Sequence, residues 1–175
     1  MGNRCLLHKP ILAVLCLALL VSIGCRRDSA TQPAGAGTSA AAGLDGTWKA
    51  TAAEMDGHAV PVEALGAMTS LEIAGTKIMC KFQGIDAAEG TIQIDPRAQP
   101  KTFDLKLEFL RGRVGGKSVA GQSVEIRGIY DLSGNTLKLC YFVAGSDGAR
   151  QGLRPKVFQS RPQSGEMLVT YQRLR

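Results

Sequence analysis

Val124 to Val143 constrains the fold most. Val124-Glu125-Ile126-Arg127-Gly128-Ile129-Tyr130-Asp131-Leu132 alternates apolar and polar residues, Ser133-Gly134-Asn135 turns the chain, and Thr136 to Val143 runs back. This is the two-residue period of half-buried strands on either side of a hairpin turn. Gly134 and Asn135 are residue types that accept a positive φ cheaply, which tight hairpin connections require. A lone hairpin is unstable in water, so further strands must cover its apolar face.

Those strands are legible on both sides. Gly46-Thr47-Trp48 opens a first strand that Asp56-Gly57 ends, and Pro61 to Met68 reads as one or two helical turns over a barrel opening. Ser70 to Ile73 alternates, Gly75-Thr76 turns, and Lys77 to Phe82 returns; Gly90 to Asp95 is a short strand that Asp95-Pro96 breaks. Thr102 to Phe109 is the clearest strand, with Phe103, Leu105, Leu107 and Phe109 on one face and Asp104, Lys106 and Glu108 on the other. Ala144 to Arg154 is a Gly-rich loop, Lys156 to Gln159 forms a short strand or turn, and Met167 to Arg173 closes the sheet. About eight strands with short turns predict an all-β, up-and-down antiparallel barrel rather than a sandwich. Closure removes the edges that an open sheet would have to protect. The charged outer face argues against an outer-membrane barrel, whose exterior is apolar.

The first 43 residues stand apart from this pattern. Met1 to Gly24 reads as an export signal: Arg4 and Lys9 give a positive start, and Ile11 to Ile23 is an uncharged apolar run of 13 residues, too short to span a bilayer as an ordinary helix. Val21-Ser22-Ile23-Gly24-Cys25 resembles a bacterial lipobox, in which Cys25 receives a diacylglyceryl group. Arg26 to Gly43, rich in Ala, Gly, Ser, Thr and Pro, is a tether. A lipid-anchored protein on the periplasmic face of a bacterial membrane is expected, the alternative being ordinary secretion or a retained signal anchor, with the domain running from Leu44 to Arg175.

Candidate chemistry is sparse. The net charge of +6 falls to +3 for Leu44–Arg175 once Arg4, Lys9, Arg26, Arg27 and Asp28 are set aside. The excess is C-terminal, where Arg150, Arg154, Lys156, Arg161, Arg173 and Arg175 face only Glu166 from Ala149 onward. Such a rim is either simply solvated or meets anionic lipid headgroups, polyanionic wall or lipopolysaccharide groups, or nucleic acid. His58 is the only histidine after the signal and sits beside a turn, and no Gly-x-Ser-x-Gly element exists, so no catalytic residue is assigned. A Cys/His metal cluster lacks ligands. Gly115-Gly116-Lys117-Ser118 resembles the tail of a phosphate loop but lacks the earlier Gly at Arg111 and a following helix. An oxidising compartment raises the question of a Cys80–Cys140 disulfide. Alternation places Cys80 with Ile78 and Phe82, and Cys140 with Lys138 and Phe142, away from Leu137, Leu139 and Tyr141, which argues against the pair.

Gly128-Ile129-Tyr130-Asp131-Leu132, Gly134 and Thr136-Leu137-Lys138-Leu139-Cys140, preceded by Leu44-Asp45-Gly46-Thr47-Trp48, resemble the signature of an uncharacterised family of small exported domains expanded in planctomycetes and found in some acidobacteria. Met55-Asp56-Gly57, Val60-Pro61, Gly90-Thr91, Asp95-Pro96, Pro100 to Leu105, Arg154-Pro155, Phe158 and Ser164-Gly165 extend the match. Leu110 to Ser123 departs from it, being longer than the Gly-Lys turn of the pattern, and Asn135 stands where an acidic residue is usual. The resemblance implies a lipocalin-like barrel and transfers no catalytic residues. Gly-x-Trp is similar to the opening of lipocalins, in which the Trp closes one barrel end beneath a late basic residue. Gly46, Trp48 and Arg173 or Arg175 are the candidates here, through a cation–π contact; otherwise Trp48 is a large core residue.

The expected function is non-enzymatic binding of a small apolar or amphipathic ligand, with Tyr130, Tyr141, Arg154 and Lys156 as candidate ligand or partner surface. No cofactor, metal or nucleic acid is expected. The alternative is a protein-interaction or envelope-structural module with a filled barrel. A carrier needs a cavity, and a filled barrel has none.

Overall fold

The computed structural model describes residues 43–143 and 152–175. The expected export signal, the expected lipidation residue Cys25, the expected tether as far as residue 42, and residues 144–151 lie outside the described residues.

The strands are β1 (Gly46–Met55), β2 (His58–Val60), β3 (Ser70–Ala74), β4 (Lys77–Phe82), β5 (Ile85–Asp95), β6 (Thr102–Phe109), β7 (Arg113–Val114), β8 (Lys117–Ser118), β9 (Ser123–Ser133), β10 (Thr136–Phe142) and β11 (Glu166–Arg173). A 3-10 segment, Val62–Thr69, lies between β2 and β3. In the wall, β1, β3, β4, β5, β6, β9, β10 and β11 pair antiparallel in that order, and β11 pairs back onto β1. The result is a closed eight-stranded up-and-down barrel, as the alternating pattern predicts. The closing seam runs from Trp48↔Arg173 to Met55↔Met167, with a register shift between Ala50 and Ala52.

The central hairpin forms as expected, with Ser133 opposite Thr136 and Tyr141 opposite Gly128. Only Gly134 takes a positive φ (+57°) in its turn; Asn135 does not need one. Asp56 and Gly57 turn β1 into β2, both with positive φ.

Three boundaries differ from the sequence expectation. β5 begins at Ile85 rather than Gly90, because Ala87 and Ala88 are both buried where the β4–β5 register shifts between Cys80 and Lys81, which erases the alternation there. The Leu110–Ser123 segment contains the small β7–β8 hairpin. Lys156 to Gln159 is bent chain and not a strand.

Inside the wall, Trp48, Leu71, Ile92, Phe103, Leu105, Leu137, Leu139, Val169 and Tyr171 are buried. Two glycines permit this packing. A Cβ at Gly90 would overlap the Lys106 carbonyl oxygen, and one at Gly128 would meet the Phe103 ring and lie 2.5 Å from the Cys140 carbonyl oxygen. Outside the wall, the paired residues Ile129 and Cys140 are buried too. The segment 152–165 covers them: the Cys140 thiol lies 3.6 Å from the Val157 carbonyl oxygen. Arg154 pins this segment, donating through Nη1 to the carbonyls of Phe103 (2.8 Å) and Gly128 and through Nη2 to Asp104 Oδ1 (2.6 Å).

Candidate functional site

The two ends of the barrel differ. At the lower end, where β1 starts and β11 finishes, Trp48 is fully buried and donates its Nε1–H to the Leu44 carbonyl at 2.7 Å. The Arg173 guanidinium lies 4.4 Å from the Trp48 ring centroid and donates to the carbonyls of Asp45 (2.5 Å) and Gly43. Gly46, at φ +127°, leaves room for it: an added Cβ would sit 3.3 Å from Arg173 Nη1. Gly46, Trp48 and Arg173 therefore form one packed unit, and of the two late arginines it is Arg173 that takes part.

The upper end holds the 3-10 segment. Pro61 supplies a φ of −57° before it and Gly66 kinks it at φ +54°, while the Thr69 hydroxyl donates back to the Gly66 carbonyl at 2.7 Å. The kink drives Leu65 and Met68 inward. Tyr171 Oη donates to the Met68 carbonyl at 2.8 Å, and the Cys80 thiol approaches the Met68 sulfur at 3.7 Å. This plug packs against β4 and β1 and reaches β5, so it fills one side of the opening.

On the other side the barrel is open. A cavity of about 790 Å³ lies between the plug, the upper ends of β5, β6, β9 and β10, and the Leu110–Gln122 segment. Leu65, Met68, Phe109, Ile126, Tyr141 and Met167 line its depth, and Phe82, Ile85 and Val143 its mouth. The volume falls within the roughly 300–1,000 Å³ of small-molecule sites. Arg111 and Arg113 are the charged residues of its lining. Most of the lining side chains are Ala, Val, Leu, Ile, Met, Phe or Tyr, so the wall of the cavity is largely apolar. A wider hollow of about 940 Å³ lies on the outside of the wall. Side chains of both charges, including Glu72, Lys77, Lys106 and Glu125, line it, so it offers an apolar ligand no enclosure.

The structure does not bring the four surface candidates together. Tyr141 lines the cavity, edge-on to Phe103 with ring centroids 6.4 Å apart, and burial pushes its phenol up. Tyr130 is buried in the lower half with Lys101 Nζ 5.9 Å from its ring centroid; burial first, and then Asp95, push its phenol up. Arg154 and Lys156 lie on the outer segment, Arg154 engaged as described and Lys156 exposed.

The C-terminal cations also do not form one patch. Arg161 pairs with the buried Glu166 at 2.8 Å, Arg154 with Asp104, and Arg173 is committed to Trp48. Arg150 lies outside the described residues.

His58 is exposed on β2, and Gly115-Gly116-Lys117-Ser118 is the exposed tip of the β7–β8 hairpin. Cys80 and Cys140 are free thiols facing opposite sides of the wall; burial pushes them up to about 12 and about 11. Among the described residues no group of three or more His, Cys, Asp or Glu is placed to hold a metal. The helical turns expected over an opening at Pro61 to Met68 are present as the 3-10 plug; sequence reasoning missed the arginines of the rim. The signal for the rim was the extra length of the Leu110–Ser123 segment, which contributes one side of the mouth.

The chain matches no family model, no curated protein and no solved structure. What the barrel can do therefore follows from its own two ends: a sealed lower end and an open, apolar upper end.

Proposed function

We propose that the protein is a non-enzymatic binding module for a small apolar or amphipathic ligand. A lipid on Cys25 holds it at the periplasmic face of a bacterial membrane, and it belongs with the planctomycete-expanded barrels whose signature falls on β1 and the β9–β10 hairpin. The observation that carries this reading is the apolar cavity of about 790 Å³ at the upper end. Side chains fill the lower half of the barrel, as the interaction-module alternative requires throughout, but that alternative leaves the upper cavity without a purpose. Gly43, the first described residue, lies at the lower end beside Leu132 and Arg173, at the opposite end of the barrel from the cavity mouth.

The test is native mass spectrometry of the exported full chain carrying Cys25→Ser, which removes the acyl acceptor so that any lipid found is bound non-covalently. Purification without detergent should yield a stoichiometric extra mass that organic extraction identifies as a small hydrophobe or lipid. A clean apo mass, unchanged after incubation with envelope lipids, would overturn the proposal and turn attention to a protein partner.

A further inference from the structure

The lip of the cavity carries charge of one sign. Arg111 and Arg113 are the charged members of the lining, and it holds no carboxylate. From Leu110 to Gln122 the chain contains Arg111, Arg113 and Lys117 and no acidic residue. The backbone holds the segment in place: Leu110 N–H donates to the Ala87 carbonyl at 2.9 Å, Phe109 N–H to Gln122 at 2.9 Å, and Gly121 N–H back to Phe109 at 2.7 Å. The Arg113 guanidinium is braced on the Gly116 carbonyl through Nε (3.2 Å) and Nη2 (2.9 Å). Neither Arg111 nor Arg113 has an acidic partner among the described residues, although four other cations of the fold, Lys81, Lys106, Arg154 and Arg161, do. An apolar ligand gains nothing from guanidinium groups at the entrance, whereas an anionic headgroup on an apolar tail gains charge-assisted hydrogen bonds there and leaves its tail in the cavity.

We infer that the ligand is a single-chain anionic amphiphile, its tail among Met68, Phe109, Ile126 and Tyr141 and its carboxylate or phosphate at Arg111 and Arg113. This rests on the ligand-binding reading and assigns the ligand's charge. Two ion pairs at a solvent-exposed rim are individually modest, and together they favour the anion over a neutral analogue by about tenfold at low salt.

The experiment uses the full chain with Cys25→Ser and the neutral fluorophore N-phenyl-1-naphthylamine, displaced by palmitate, hexadecyl phosphate or hexadecanol. Expected is binding of the fluorophore and displacement by one or both anions at about a tenth of the hexadecanol concentration, the stronger anion naming the headgroup. The preference should shrink in high salt, fall to near unity in Arg111→Gln/Arg113→Gln, and persist in Arg111→Lys/Arg113→Lys, which keeps the charge. Equal displacement by anions and hexadecanol, or a preference that survives the Gln pair, would overturn the inference while leaving hydrophobe binding intact. A fluorophore that binds no better than to a control protein, with no displacement by any of the three, would overturn the ligand-binding reading itself.

Discussion

Removing Arg173 should loosen the sealed end of the barrel, and the cost can be worked from its contacts. The guanidinium sits 4.4 Å from the Trp48 ring centroid and donates to two backbone carbonyls, those of Asp45 and Gly43. A cation–π contact of this kind is worth about 1 kcal/mol at a partly solvated site. The two hydrogen bonds add about 0.5–1 kcal/mol each, after discounting for their exposure to solvent. Arg173→Ala should therefore destabilise the barrel by about 2–3 kcal/mol, which shifts a urea midpoint by roughly 1 M or more. Arg173→Lys, retaining a cation without the planar fork, should recover about half of that loss. Trp48 is the only tryptophan of the chain, so its emission reports this end alone. It should shift to the red in folded Arg173→Ala as one face of the ring meets water. A midpoint within about 0.3 M of wild type, or about 0.5 kcal/mol, together with an unchanged emission maximum would refute the reasoning.

Gly90→Ala should cost about 3 kcal/mol or more in the same urea assay, because its Cβ would meet the backbone of Lys106 and Leu107, which cannot swing aside as a side chain can; near-native stability would mean that β5 and β6 part without penalty. Cys80 and Cys140 should both resist iodoacetamide in the native protein at about pH 8, since burial raises both thiols, and both should label after unfolding without reductant. Peptide mapping that recovers a linked Cys80–Cys140 pair would contradict this. The Arg161 guanidinium holds the Glu166 carboxyl below its ordinary value, so the folded state binds this proton less readily than the unfolded chain. Its stabilisation is present above the ordinary carboxyl range near about pH 4 and is lost as pH falls through the depressed folded value. Urea midpoints at about pH 6 and about pH 3 should differ less in Glu166→Gln than in wild type, and parallel losses would show that other carboxylates carry the acid response.

Strand identity and chain order are written in the residues themselves, because a strand that is buried on one face and wet on the other carries its period in residue type. Thr102–Phe109 and the β9–β10 hairpin follow this rule, and the observed bounds of β6 coincide with the expected ones. The rule fails where tertiary packing changes which face is covered. Ala87 and Ala88 are neighbours and both buried, so β5 is longer than its alternation reveals. Ile129 and Cys140 point outward and are buried all the same, because a segment late in the chain folds over them and Arg154 pins it there.

The site divides along the same line. Tyr130 and Tyr141 are alike in sequence, both aromatic residues on the central hairpin, yet one lies in the sealed half and the other lines the cavity. Their fate depends on where along the barrel axis each strand sits, which is a matter of register and not of residue type. A basic C-terminus in sequence becomes three separate engagements in space, since Arg154, Arg161 and Arg173 each find a different partner. By itself, then, the order of residues determined an all-β, up-and-down barrel, because periodicity and turn chemistry are local properties of the chain. The open half belongs to the tertiary structure alone. It exists because a plug kinked at Gly66 fills one side of the mouth and a long segment holds the other side apart, and the volume left between distant elements has no local signature.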